Sequence, residues 1–288
     1  MSEPQAGILP EPGPERRFLE YQLRPGTDAA RLKDALKVAF QIDDDALASV
    51  VAFGPDCWRL LANDTAPHGL RSFEAIGPAP ASQGDIWFWI HSDSHDAVLD
   101  HALVVHGAMA AIAEITLEVD GYTYHDNRDL IGFVDGTANP KGEAAPAAAF
   151  TDTGGSFVLT QKWVHDLAAF ENLPVAEQEQ VVGRTKIDDI ELEGEEMPAT
   201  SHVSRTDLKL NGVPAKILRR SSPYGGVNEK GLYFVAFACD IERFDIQLRH
   251  MFGQVEDGLH DRLTEFSTPI SGSYWYAPSA SEIAALSA

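Results

Sequence analysis

Arg17-Phe-Leu-Glu-Tyr-Gln-Leu23 reads as a strand, and Asp28 to Gln41, just after it, as an amphipathic helix. Ala29, Leu32, Leu36, Val38, Ala39 and Phe40 mark the apolar side of that helix. Ser49 to Phe53 and Trp58 to Leu61 read as a hairpin around Gly54-Pro55, followed by a buried strand at Ile86-Trp-Phe-Trp-Ile90. Asp96 to Ala113 reads as a helix and Glu114 to Val119 as a strand. A β-α-β-β-α-β order within about 120 residues is the split βαβ, ferredoxin-like arrangement.

Asn139 to Ala149, rich in Pro, Gly and Ala, is the natural linker, dividing the chain into halves at 1–145 and 146–288. Beyond it, Gly155 to Thr160, Ala215 to Leu218, Gly231 to Phe237 and Tyr274 to Tyr276 read as strands. Trp163 to Phe170 reads as the start of a helical region, and Ile241 to Phe252 as a helix. The second half therefore repeats the first in outline. The expectation is an α+β fold of two ferredoxin-like halves packed as one unit.

The 288 residues include 44 acidic against 22 basic side chains, a net charge of −22. A surface that negative repels phosphate backbones and anionic bilayers, so neither nucleic acid nor membrane is expected as a partner. Neutral or cationic small molecules suit it better. The two cysteines, Cys57 and Cys239, are too few for a disulfide scaffold and fit a reducing compartment. The first ten residues lack the basic and apolar regions of a secretory signal. The pair Arg16-Arg17 runs into a strand pattern rather than an export signal, so a cytoplasmic location is expected.

Chemistry concentrates in Gly132-Phe-Val-Asp-Gly-Thr-Ala-Asn-Pro140, where an acid flanked by glycines implies a tight turn that aims one carboxylate. An aspartate-nucleophile phosphotransferase loop would need a second carboxylate two residues before Asp135; Phe133 stands there, which sets that chemistry aside. Of the ten histidines, His91 and His95 have helical metal-pair spacing but fall in a polar turn, and His101 and His106 read as ordinary helix residues. His202 differs: it follows an acidic loop, with Arg and Asp available elsewhere, which are the residue types of a haem peroxidase.

Gly132 to Gly136, Gly183-Arg-Thr-Lys186, Ser201-His-Val203, Ile217-Leu-Arg219 with Ser221 and Pro-Tyr-Gly225, and Thr268-Pro-Ile-Ser-Gly272 together resemble the dye-decolourising peroxidases, type B group. Gly7 to Pro10, Val51 to Gly54 and Gly231 to Phe234 extend the resemblance over almost the whole chain. It implies a dimeric-α+β-barrel-type haem peroxidase that reduces hydrogen peroxide and oxidises bulky phenolic or dye-like donors. It implies one haem b per chain and a homo-oligomer. It assigns His202 as the iron ligand, Asp261 as the carboxylate on its other N–H, and Asp135, Arg219 and Ser221 as the distal groups. Arg184 corresponds to an arginine near the propionates, and Phe234 and Met251 to residues packed near the macrocycle. Arg220 doubles the distal arginine, which leaves the register open by one. A haem-handling protein and a coprohaem decarboxylase-like enzyme are the competing readings.

Trp58, Trp87, Trp89, Trp163 and Trp275, with seven tyrosines, offer electron relays, although alternation of Trp87, Trp89 and Trp275 with core residues favours packing. The acidic surface favours cationic donors, or Mn²⁺ if carboxylates such as Glu191 gather at a propionate edge.

Overall fold

The computed structural model describes residues 2–42, 44, 46–62 and 66–287. The first half holds β1 (Glu15–Leu23), α1 (Ala29–Ala39), β2 (Ala48–Phe53), α2 (Pro55–Leu61), β3 (Ile86–Ser92), α3 (His95–Met109) and β4 (Ala113–Tyr122). After it come α4 (Ala144–Ala149), β5 (Ser156–His165), α5 (Leu167–Glu171), α6 (Val175–Val182) and α7 (His202–Thr206). A small hairpin, β6 (Lys209–Leu210) with β7 (Val213–Pro214), precedes β8 (Leu218–Arg219), β9 (Ser222–Gly225) and β10 (Lys230–Ala238). The chain closes with α8 (Glu242–Met251), β11 (Ser267–Pro269), β12 (Ser273–Ala277) and α9 (Ala280–Ser287).

Two antiparallel four-stranded sheets, ordered β2-β3-β1-β4 and β9-β10-β5-β12, each have the ferredoxin-like strand order. They close into one ring through two narrow seams, Phe53 opposite Tyr276 and Gly121 opposite Tyr224. Closure removes the free edges that such sheets would otherwise expose. The ring makes side-chain parity decisive. Phe18, Trp87, Trp89, Val158, Tyr233, Phe237 and Trp275 point inward, while Leu19, Phe88, Leu159, Ala236 and Tyr274 belong to an outer core with α1, α2, α3 and α8.

Several boundaries differ from the sequence reading. Trp58 to Leu61 is helical, because Pro55 occupies the first turn, where its fixed φ and missing N–H cost nothing, and Cys57, Trp58 and Leu61 share a buried face. Trp163 lies in β5, whose ladder continues to His165. The supposed linker includes α4, which buries Ala148 and Ala149. Helix α3 ends at Met109, and strand pairing after Ala215 begins only at Leu218.

Glu20 sits inside the ring, 3 % exposed. Burial raises its pKa to about 7, against the lowering effect of hydrogen bonds from Tyr233 and Thr160. The folded protein therefore holds a proton there that the unfolded chain releases, so this site favours folding as pH falls through 7 toward the ordinary carboxylate range. Glu20→Gln should remove that dependence. Relative to the variant, the wild type should gain about 3 kcal/mol between pH 8 and pH 5, read from urea unfolding at the two pH values.

Candidate active site

On its outer face the second sheet forms the floor of a cavity. Leu159, Gln161, Trp163 and His165 from β5 and Leu232 and Phe234 from β10 line it, all at alternate positions. Phe244, Leu248 and Met251 of α8 and His202, Val203 and Thr206 of α7 form further walls, with the segment from Asp129 to Ala138 and the residues Arg219 and Ser221. Including its open mouth, the cavity holds about 1630 Å³ free of protein atoms. Its lining is predominantly apolar with a few polar groups, the usual make-up of a cofactor site.

His202 is the first residue of α7, whose N-cap Ser201 accepts from the Ser204 N–H. The helix is tied down by Arg205, which reaches both carboxylate oxygens of Asp257, at 2.8 and 3.1 Å, and the His250 carbonyl. Asp261 is fully buried, and its Oδ2 lies 2.6 Å from His202 Nδ1. Its other oxygen accepts from the Leu263 N–H, and its own N–H donates to the Met251 carbonyl. A carboxylate so placed holds the imidazole proton on Nδ1 and leaves the Nε2 lone pair free for a metal.

Asp135 stands in a turn made possible by positive φ at Gly132 and Gly136. Its backbone pairs with Asn127, and its Oδ1 accepts from the Gly136 N–H at 2.7 Å. Arg219 Nε is 3.9 Å from Asp135 Oδ1 and, although buried, has no hydrogen-bond partner among the described residues. Asn139 spans the two segments. Its side chain accepts from the Arg219 N–H at 2.9 Å and donates to the Arg219 carbonyl at 3.0 Å, so the loop and β8 are held in one register.

Parity resolves the doubled arginine. Arg219 lines the cavity, whereas Arg220 is buried against the N-terminal arm, donating to the carbonyls of Ile8 and Leu9 and pairing with Glu11. The same split separates Arg17, which pairs outside with Glu118 and Asp120, from Arg16, which donates to Thr123 Oγ1 and the Ser221 carbonyl. Burial lowers the Arg16 pKa to about 10, with Asp135 the leading opposing charge, so Arg16 remains cationic at neutral pH.

Ser221, Phe234 and Met251 all line the cavity, as does Arg184, whose guanidinium is engaged by Asp189 and Glu191. His91 is no loop residue. It is buried in β3 against the Gly7 carbonyl, and burial brings its pKa down to about 4. The sequence reading missed Gln161, whose side-chain nitrogen is buried without a partner, and the chain Asp129–His165–Ser267, with contacts of 3.1 and 2.7 Å. Their alternation along β5 was the available signal, obscured by ending that strand at Thr160.

Two family models account for nearly all of the chain: Dyp-type peroxidase, N-terminal, over residues 5–123, and Dyp-type peroxidase, C-terminal, over 126–282. The chain belongs to the Dyp-type peroxidase family. It is thus an oxidoreductase that uses hydrogen peroxide, and a haem-dependent one. It is 36 % identical to the dye-decolorizing peroxidase of Rhodococcus erythropolis, covering 84 % of this chain and 75 % of that protein. The corresponding protein of Mycobacterium tuberculosis is 38 % identical, over 84 % and 76 %. Among solved structures, a DypB variant from Rhodococcus jostii in complex with heme superposes with a TM-score of 0.89 at 33 % identity, over 99 % of this chain and 98 % of that one. A dye-decolorizing protein from V. cholerae gives 0.86 at 34 %, over 98 % of each. The α+β barrel expected from the sequence is the fold of these relatives.

The residues present fit a haem. One imidazole with a free Nε2 is what a porphyrin iron takes from a protein on one side, and the apolar walls suit a macrocycle. Two buried nitrogens of cavity-lining residues, on Arg219 and Gln161, lack hydrogen-bond partners among the described residues.

Asn139→Ala should release the loop from β8. Losing two hydrogen bonds should cost about 1–3 kcal/mol locally and speed amide exchange at Arg219 by about tenfold or more, measured by hydrogen–deuterium exchange.

Proposed function

We propose that this chain is a type B haem b peroxidase in which His202 ligates the iron and Asp135 and Arg219 act on hydrogen peroxide. Bulky phenolic or dye-like molecules serve as reducing substrates. The observation that carries the reading is the pairing, in one cavity, of an imidazole fixed by a buried carboxylate with an aspartate beside an unpartnered arginine nitrogen. Similarity to the DypB structures supports the type B assignment.

Haem, when bound, supplies the redox-active iron and macrocycle at which peroxide is reduced and donors are oxidised. Asp135 Oδ takes a proton from one peroxide oxygen and returns it to the other, directly or through a water. Arg219 is permanently charged and lines a largely apolar cavity, where its guanidinium stabilises the negative charge that develops as the O–O bond lengthens. Arg16 adds a second fixed cation close to Asp135. Asp261, accepting from Nδ1, keeps His202 in one tautomer and raises its donor strength. Arg184 would hold propionates, exchanging part of its contact with Asp189 and Glu191 for them. Phe234 and Met251 would pack against the bound group and exclude water from it.

His202→Ala should abolish stable haem binding, seen as loss of the Soret band of a histidine-ligated haem in the purified protein. A normal histidine-ligated spectrum in that variant would remove the assignment.

Asp135→Asn should slow the reaction of the haem-loaded enzyme with peroxide by about 10² or more, through loss of the proton acceptor. Arg219→Leu should slow it by about 10²–10³, by analogy with a lost oxyanion donor. Stopped-flow absorbance after mixing with peroxide reads both; wild-type rates in both variants would refute these two roles. Turnover of peroxide with a dye, against stoichiometric release of haem or iron without turnover, separates a peroxidase from a haem-handling protein.

A further inference from the structure

The interior of the ring contains a titratable pair that the peroxide chemistry leaves unused. Tyr233 donates its phenol to Glu20 Oε1 at 2.5 Å, and Trp87 Nε1–H donates to the Tyr233 oxygen at 3.1 Å. Thr160 donates to the same Glu20 oxygen at 3.2 Å and accepts from Trp275 Nε1 at 2.9 Å. Tyr233, Thr160, Trp87 and Trp275 are fully buried. A carboxyl group in such surroundings costs stability at neutral pH, and an apolar residue would fill the space more cheaply.

Oxidation gives this arrangement a use. A phenol that loses an electron becomes a strong acid, so a buried tyrosine gives up an electron readily only when a base is already hydrogen-bonded to its oxygen. Burial and Glu20 hold the phenol's own pKa well above its ordinary value, so simple ionisation is closed to it. Tyr233 also lies close to the cofactor cavity. It is adjacent in β10 to Phe234, which lines the cavity from the other face of the same strand, and Thr160 is likewise adjacent to Gln161 in β5. On the inner side, Tyr233 packs on Phe18 at 4.5 Å between ring centroids, and Trp87 stacks with Trp89 at 6.4 Å.

We propose that Tyr233, with Glu20 as its proton acceptor, is an internal one-electron donor to the peroxide-oxidised cofactor. The proposal rests on the peroxidase reading above and adds a redox site to it. One electron passes from the Tyr233 ring to the oxidised cofactor, reducing it by one equivalent. The Tyr233 O–H bond breaks and the proton forms a bond to Glu20 Oε1, leaving a neutral phenoxyl radical and a neutral carboxylic acid. A reducing substrate later returns one electron, and the proton moves back from Glu20. When substrate is scarce, the oxidising equivalent is held inside the closed ring rather than on oxidisable groups of the cavity wall such as Met251.

The test is freeze-quench electron paramagnetic resonance of the haem-loaded protein after one equivalent of peroxide without donor. The expected result is an organic radical signal that narrows when the protein carries ring-deuterated tyrosine and falls to background in Tyr233→Phe, with haem loading and peroxide consumption unchanged. Glu20→Gln, which keeps a hydrogen-bond acceptor but not a base, should lose the signal as well. Wild-type protein supplies a check free of any variant. The groups facing Glu20 are Trp87 from β3, Leu117 from β4, Thr160 from β5 and Tyr233 from β10, and only Tyr233 among them titrates. Radical yield per peroxide consumed should therefore fall as pH drops from 8 to 5 and Glu20 takes up its proton. An undiminished signal in Tyr233→Phe, or no tyrosine signal from wild-type protein that consumes peroxide, would overturn the proposal while leaving the peroxidase reading intact. Failure of the haem-loaded wild type to consume peroxide would overturn both.

Discussion

Closure of eight strands into a ring imposes a two-sided constraint on most of this molecule. Each strand of the ring sends alternate side chains into the sealed interior and toward the helices or the cavity. A shift of one residue would exchange Trp87 and Trp89 for Phe88 and move Phe234 from the cavity to the interior. The interior tryptophans, Phe18, Tyr233 and Phe237 fill the ring and fix its register, and the register in turn decides which side chains the cavity receives.

The site inherits its precision from that frame. The floor belongs to the rigid sheet, while the chemistry-bearing groups come from short segments clamped to it or to each other. Asn139 ties the Asp135 turn to the backbone of Arg219, and Arg205 ties the helix of His202 to the turn around Asp257. Asp261 then orients the imidazole from a fully buried position. The Asp261 contact is withdrawn from water at its carboxylate, where a hydrogen bond is worth more and misplacement costs more.

Electrostatics follow burial rather than net charge. The chain carries −22, and the cavity and the adjoining end of the ring set Arg16, Arg184 and Arg219 beside Asp129, Asp135 and Glu191. The arginines of the site are met by carboxylates at close range, Arg184 by Asp189 and Glu191 and Arg219 by Asp135. Glu20 is a further buried acid, kept inside the ring with a tyrosine as its partner.

Local pattern was enough for the α+β class, the order of the principal strands and helices, and the segments that carry Asp135 and His202, because alternation, helical periodicity and short glycine-bearing motifs are local properties; Arg219 and Asp261 were singled out only by the family resemblance. The turn to helix at Pro55 was misread because both a hairpin and a helix start fit Gly-Pro, and burial of Cys57, Trp58 and Leu61 against distant residues made the choice. Which of Arg219 and Arg220 enters the cavity, and which of Arg16 and Arg17 enters the ring, depended on strand parity relative to partners far away in sequence. The His202–Asp261 contact spans 59 residues and Glu20–Tyr233 spans 213. No local pattern encodes such pairs, since only closure of the ring and docking of α7 beside α8 bring their atoms within hydrogen-bonding distance.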